Sequence, residues 1–114
     1  MSVSLQMPLA CKRALGDNLQ PGLFKALSDP VRIAIVCTLA ARTEPLNVSS
    51  LTGCCGVDMS GVSRHLKILL QAGILSADKR GREVYYSLQL DVLAETLRAG
   101  ADALEACREA CAEK

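Results

Sequence analysis

Apolar residues in this chain recur mostly three and four positions apart, a spacing that predicts helices almost throughout. A first short helix is expected over about Pro21 to Leu27. Ser28-Asp29-Pro30 then makes a strong helix start, with a capping side chain followed by proline at the first helical position. That helix should run to about Arg42 with Ile35, Val36 and Leu39 facing inward, and the loop Thr43-Glu44-Pro45 should follow it. Val48 to Cys55 suggests another short helix, ended by Gly56, with a restart capped at Asp58 or Ser60. From Ser60 to Gln71 the two faces of one helix separate cleanly. Val62, Leu66, Leu69 and Leu70 line one side, while Ser60, Ser63, Arg64, Lys67 and Gln71 fall on the other. Ala72-Gly73 closes this helix.

The pattern then changes period. Leu75 to Leu88 reads as two short strands, with Val84, Tyr85 and Tyr86 favouring strand and Arg80-Gly81-Arg82 supplying a tight basic turn. From about Leu90 helical spacing returns as a stripe of Leu90, Leu93, Leu97, Gly100, Leu104, Cys107 and Cys111. Its gaps of three and four make a heptad seam, which at the end of a small domain is expected to bury itself against a second copy. Residues 1–18 are expected to form a loosely held N-terminal arm and residues 19–114 one domain.

The polar face of the Ser60–Gln71 helix carries hydroxyls, an arginine, a lysine and an amide, and no carboxylate. Those groups hydrogen-bond phosphate oxygens and base edges, whereas an ordinary solvated face mixes in Asp or Glu. A short helix, a turn, a polar-faced helix and a basic hairpin describe a winged helix-turn-helix. In that fold the second helix enters the major groove and the hairpin lies along the flanking backbone. The expected fold is therefore mainly α with a small β-hairpin wing, and homodimeric.

Charge supports this through its distribution rather than its total. The formal net charge is only +1. Between Ser60 and Arg82, however, Arg64, Lys67, Lys79, Arg80 and Arg82 face a single acid, Asp78, while from Asp91 to Lys114 there are six acids against Arg98, Arg108 and Lys114. One surface should be electropositive and the far end acidic.

The segments Leu23–Ala40 (LFKALSDPVRIAIVCTLA), Ser60–Leu75 (SGVSRHLKILLQAGIL) and Lys79–Leu88 (KRGREVYYSL) resemble the ArsR/SmtB family of small bacterial metalloregulatory repressors. The S-x-x-S-x-H-L core and the glycine wing ending in a tyrosine pair carry the likeness. The resemblance implies a homodimer, joined through the C-terminal and first helices, that binds inverted-repeat operator DNA and leaves it when an inducer binds. It also places His65 on the DNA-binding helix. The DNA-binding set expected from sequence is thus Ser60, Ser63, Arg64, His65, Lys67, Gln71, Lys79, Arg80 and Arg82.

Six cysteines and no export signal point to the reducing cytoplasm, where thiols serve metals or redox chemistry. Cys54 and Cys55, bounded by Gly53 and Gly56, are the expected soft-ion ligands just before the DNA-binding helix. As(III) is the expected inducer, with Sb(III), Cd(II), Pb(II) and Hg(II) as alternatives, since all prefer thiolate sulfur. Cys11 is the first choice for a third ligand. Cys107 and Cys111 share a helix face and could chelate by themselves, although cysteine also packs well in an apolar seam. Cys37, inside IAIVCTLA, is expected in the core.

Two sensing sites common in the family are lacking. Pro45 to Leu51 holds no cysteine where an E-L-C-x-C pattern usually stands, and the last helix has no histidine for a zinc site. The rival reading is a persulfide or redox sensor using Cys37 and Cys107. A cysteine-dependent enzyme is a remote one, since the only histidine lies on the DNA-reading helix and no phosphate loop or carboxylate pair is present.

Overall fold

The computed structural model describes residues 20–112. The order is α1 (Pro21–Ala26), α2 (Pro30–Ala40), α3 (Val48–Cys55), α4 (Met59–Gln71), β1 (Leu75–Arg80), β2 (Glu83–Leu88) and α5 (Leu90–Ala112). The chain divides into two compact units, one spanning Pro21–Leu93 and the other including α5 from Ala94.

Side-chain caps set the helix starts in the first unit. Asp29 caps α2, its carboxylate accepting from the backbone N–H of Val31 at 2.9 Å and Arg32 at 3.2 Å. Asn47 caps α3 by accepting from Ser50 N–H. Asp58 caps α4 by accepting from Gly61 N–H at 2.8 Å, which settles the start of the polar-faced helix at Asp58 rather than Ser60. Gly56 ends α3 with φ +68°, a left-handed conformation that a side chain would strain.

Both capping carboxyls lie below the usual aspartate value of 3.8. At Asp58 the Gly61 N–H is the main cause, with the Ser60 hydroxyl second. At Asp29 desolvation pushes upward, but the Arg32 and Val31 N–H groups, with His65 and Arg32 nearby, outweigh it. A carboxyl depressed in the folded state contributes stability above its unfolded value, and that stability is lost as pH falls through the folded value. Urea midpoints should therefore be level near neutrality and decline below about pH 4. Asp58→Asn, which caps without a charge, should make that decline shallower.

The core of the first unit is wholly apolar. Leu23 and Ala26 of α1, Ile35 and Leu39 of α2, Leu51 of α3, and Val62, Leu66 and Leu69 of α4 are buried with Ile74, Leu75 and Leu93. The helix-turn-helix pair α3 and α4 packs against α2, and α4 also meets β1. β1 and β2 pair antiparallel from Leu75↔Leu88 to Arg80↔Glu83, leaving Gly81-Arg82 as a two-residue turn. Gly81 has φ +65° and, as for every non-glycine among the described residues, Arg82 has negative φ, the combination of a type II′ hairpin turn.

One strand contact was not legible in sequence. Leu46 exchanges two backbone hydrogen bonds with Tyr86, at 2.9 and 2.8 Å, along the edge of β2 away from β1. The loop before α3 is thereby tied to the wing. Cys37 corrects a second expectation: it is exposed, not in the core. α2 buries Ile35 and Leu39, and the position midway between them necessarily points to the opposite side of the helix.

α5 is continuous over 23 residues. Leu93 packs into the first unit's core. Beyond it, Gly100 and Ala103 are buried whereas Leu97 and Leu104 stand 43% and 52% exposed. The seam expected to join two copies thus keeps large apolar side chains uncovered.

Candidate nucleic-acid interface

α4 presents the two faces its sequence implied. Val62, Leu66 and Leu69 are completely buried, and Ser60, Ser63, Arg64, Lys67 and Gln71 are exposed. Leu70, expected on the apolar side, is partly buried against the same core. The strong amphipathicity follows from the sequence; the direction of the polar face follows from packing α4 on α2, α3 and β1.

His65 is placed differently from the rest of the set. At about 100° per residue it lies on the shoulder of α4 opposite Ser63 and Lys67, and only 22% of its side chain is exposed. Its Nδ1 stands 3.1 Å from an Nη of Arg32 and 3.9 Å from Oδ2 of Asp29. The histidine thus faces α2. Arg32 and Asp29 were not among the residues expected from sequence to serve the site. The cap Ser28-Asp29-Pro30 was readable, but an arginine three residues on gave no sign of reaching a histidine 33 positions away.

The wing arranges its cations with care. Arg80 donates from Nε to Asp78 at 2.9 Å, and its guanidinium lies 4.9 Å from the centre of the Tyr85 ring. The one acid in the basic segment and the Tyr85 ring together therefore orient this arginine. Tyr85 in turn donates its hydroxyl to Glu83, which also accepts from the Asn47 side-chain amide, both at 3.0 Å. The cap of α3 and the turn end of the wing are joined through Glu83. Lys79 and Arg82 are exposed. The result is a firm hairpin with cations at its tip.

Cys11 lies outside the described residues, as do the side chains of Cys54 and Cys111. Cys55 is half-buried and packs against the core from the last turn of α3. Cys107 is half-buried on α5. Among the described residues, no group of three or more histidine, cysteine or acidic side chains converges as a metal site. No helix among them is long and apolar enough to cross a membrane.

A two-faced helix held by a preceding short helix and followed by a basic hairpin defines a winged helix-turn-helix regulator. A family model described as a helix-turn-helix domain matches residues 27–76. The chain is 46% identical over 66 residues to the transcriptional repressor SmtB of Mycobacterium tuberculosis, covering 58% of this chain and 47% of that one. It is 40% identical over 65 residues to the arsenical resistance operon repressor of Bacillus subtilis, covering 57% and 61%. It therefore spans about half to three-fifths of the length of these curated relatives. An ArsR-like transcriptional regulator from Rhodococcus superposes with a TM-score of 0.67 at 27% identity, covering 93% of this chain and 94% of that one. This chain belongs to the ArsR/SmtB family of winged-helix transcriptional regulators. These relatives are regulators, not enzymes.

Proposed function

We propose that the protein is a homodimeric repressor that holds inverted-repeat operator DNA through α4 and the wing and releases it on binding a thiophilic ion, most simply As(III). The observation that carries the DNA-binding half is the exposed, acid-free face of Ser60, Ser63, Arg64, Lys67 and Gln71, continued by Lys79, Arg80 and Arg82. α4 then reads base edges and the wing cations bind flanking phosphate, each phosphate contact steepening the salt dependence by about 0.9 in log–log slope. The uncovered Leu97 and Leu104 on α5 support the dimer, with the first helix as the other contributor. The relatives' names, among them an arsenical resistance repressor, support the repressor and the class of inducer.

Cys54 and Cys55 are the proposed ligands, with Cys11 completing a three-sulfur site and Cys107 with Cys111 as the alternative pair. Sb(III), Cd(II), Pb(II) and Hg(II) would suit the same donors. The ends of α3 give this reading its mechanism. Neighbouring helical residues diverge by about 100°, and Cys55 faces the core. An ion that takes both sulfurs draws Cys55 away from the core and so loosens the last turn of α3 at Gly56. Asp58, two residues on, caps α4, so the disturbance passes directly to the DNA-reading helix. A near-complete switch requires the ion to favour the released conformation by about 10⁴-fold.

The test is a release titration on the protein's own promoter fragment with arsenite, Cd(II), Hg(II) and persulfide in parallel. Cys54→Ser and Cys55→Ser are expected to bind DNA like the parent and to stay bound at arsenite levels that release the parent. Release of both variants at the parent's concentration would move the site to other cysteines. The exposure of Cys37 favours one second reading, a persulfide or redox sensor with Cys107; release by persulfide alone would establish it.

A further inference from the structure

Arg32 leaves α2 toward α4 rather than toward solvent. Its Nε donates to the carbonyl of Ala26, and one Nη donates to the carbonyl of Lys25 at 3.2 Å. The guanidinium is thus tied to the last turn of α1, and its other Nη meets His65 Nδ1 at 3.1 Å. Arginine has only donors, so Nδ1 can accept this contact only in the neutral ring that carries its proton on Nε2. The carboxylate of Asp29, 3.9 Å from the same nitrogen, favours the opposite state, because it pairs with a protonated ring. A cation and a carboxylate therefore compete for one nitrogen of the chain's only histidine. That histidine sits on the DNA-reading helix next to Arg64.

We propose that Asp29, Arg32 and His65 form a latch that sets α4 against α2 at its DNA-reading angle, and that protonation of His65 opens the latch and lowers sequence discrimination. The proposal rests on the reading of α4 as the DNA-contacting helix. A proton on Nδ1 turns the acceptor into a donor, so that two cationic donors face each other at hydrogen-bond distance. Arg32 is held by two backbone carbonyls and cannot easily withdraw. The imidazolium moves instead toward Asp29, and α4, to which it is attached, moves with it. Imidazoles change charge between about pH 5 and 8.

The other charges near the ring do not offset this. α1 brings Lys25, which borders the same cleft as Arg32 and Gln71, and α4 itself brings Arg64; both oppose a further positive charge. α3 has no Asp, Glu, Lys, Arg or His and brings only its two thiols, and the charged residues of β1, Asp78 to Arg80, lie at its exposed tip end. Asp29 is the one counter-charge in the cluster. Because it also caps α2, the switch is coupled to the start of that helix. Added positive charge strengthens attraction to any duplex, whereas a shift of α4 affects base contacts alone. The two effects separate in the ratio of specific to non-specific affinity.

The experiment measures affinity for a duplex selected from a random pool and for a scrambled duplex, at about pH 8 and pH 5.5, chosen to span the imidazole range. The parent's specific-to-scrambled ratio is expected to fall about tenfold in acid. His65→Gln keeps an acceptor for Arg32 without titrating, and its ratio is expected to change less than about twofold. Equal changes in parent and variant overturn the latch. Absence of any specific binding by the parent at either pH overturns the reading of α4 itself. A second measurement needs no variant: amide resonances of α4 and the first turn of α2 are expected to move with the same midpoint as the single histidine ring, and those of the wing tip not to. Independence of the α4 amides from the ring also overturns the proposal.

Discussion

Leu66→Ala is expected to destabilise the protein by about 2–5 kcal/mol, the range for truncating a buried leucine that leaves a cavity. Leu66 has no exposed surface and sits among Ile35, Leu51, Val62 and Leu69 in the one apolar core of the Pro21–Leu93 unit. Small domains hold only about 5–15 kcal/mol in total. The loss should therefore lower the urea midpoint markedly with little change in slope. DNA affinity should suffer as a consequence, since Leu66 anchors the helix that carries Arg64 and Lys67. Leu66→Met, which nearly conserves volume, should cost less than about 1.5 kcal/mol. If the alanine variant instead melts like the parent, α4 is not packed as described.

Arg64→Ala should leave the thermal midpoint unchanged, because Arg64 is exposed. It should weaken binding to specific DNA by about 1–3 kcal/mol if the guanidinium reads a base, which is roughly fivefold to more than a hundredfold. Its effect on scrambled DNA distinguishes the two possible roles. Base contact predicts a loss confined to the specific sequence. Phosphate contact predicts an equal loss on both, with the salt slope falling by about 0.9. Arg82→Ala, at the wing turn, is the matched comparison expected to follow the second pattern. A result in which Arg64→Ala binds like the parent would remove α4's outer face from the interface.

Much of this architecture was written in local chemistry. Asp29-Pro30, Asn47, Asp58, Gly56 and Gly81 act within a few residues of themselves, through side-chain caps and left-handed backbone, so helix starts and the wing turn were readable. The polar face of α4 was readable because Val62, Leu66 and Leu69 fix its phase and the polar residues between them contain no acid. α2 offered no such phase. In PVRIAIVCTLA apolar side chains surround most of the helix, so the exposure of Cys37 depended on which side met the rest of the core. The Leu46–Tyr86 pairing and the Asn47–Glu83 link were hidden for another reason: each joins residues far apart along the chain, 36 positions in the second case, with no shared local motif.

By itself the sequence determined the winged helix-turn-helix, the acid-free face of α4 and the basic wing, because periodicity, caps and turn residues act over short distances and need no partner to be expressed. Only the tertiary structure decided that His65 turns from that face to Arg32 and Asp29, that Cys55 looks into the core, and that Cys37 does not. Those outcomes depend on which helix faces which, and packing α2 against α4 brings together charges whose separation along the chain conceals their coupling.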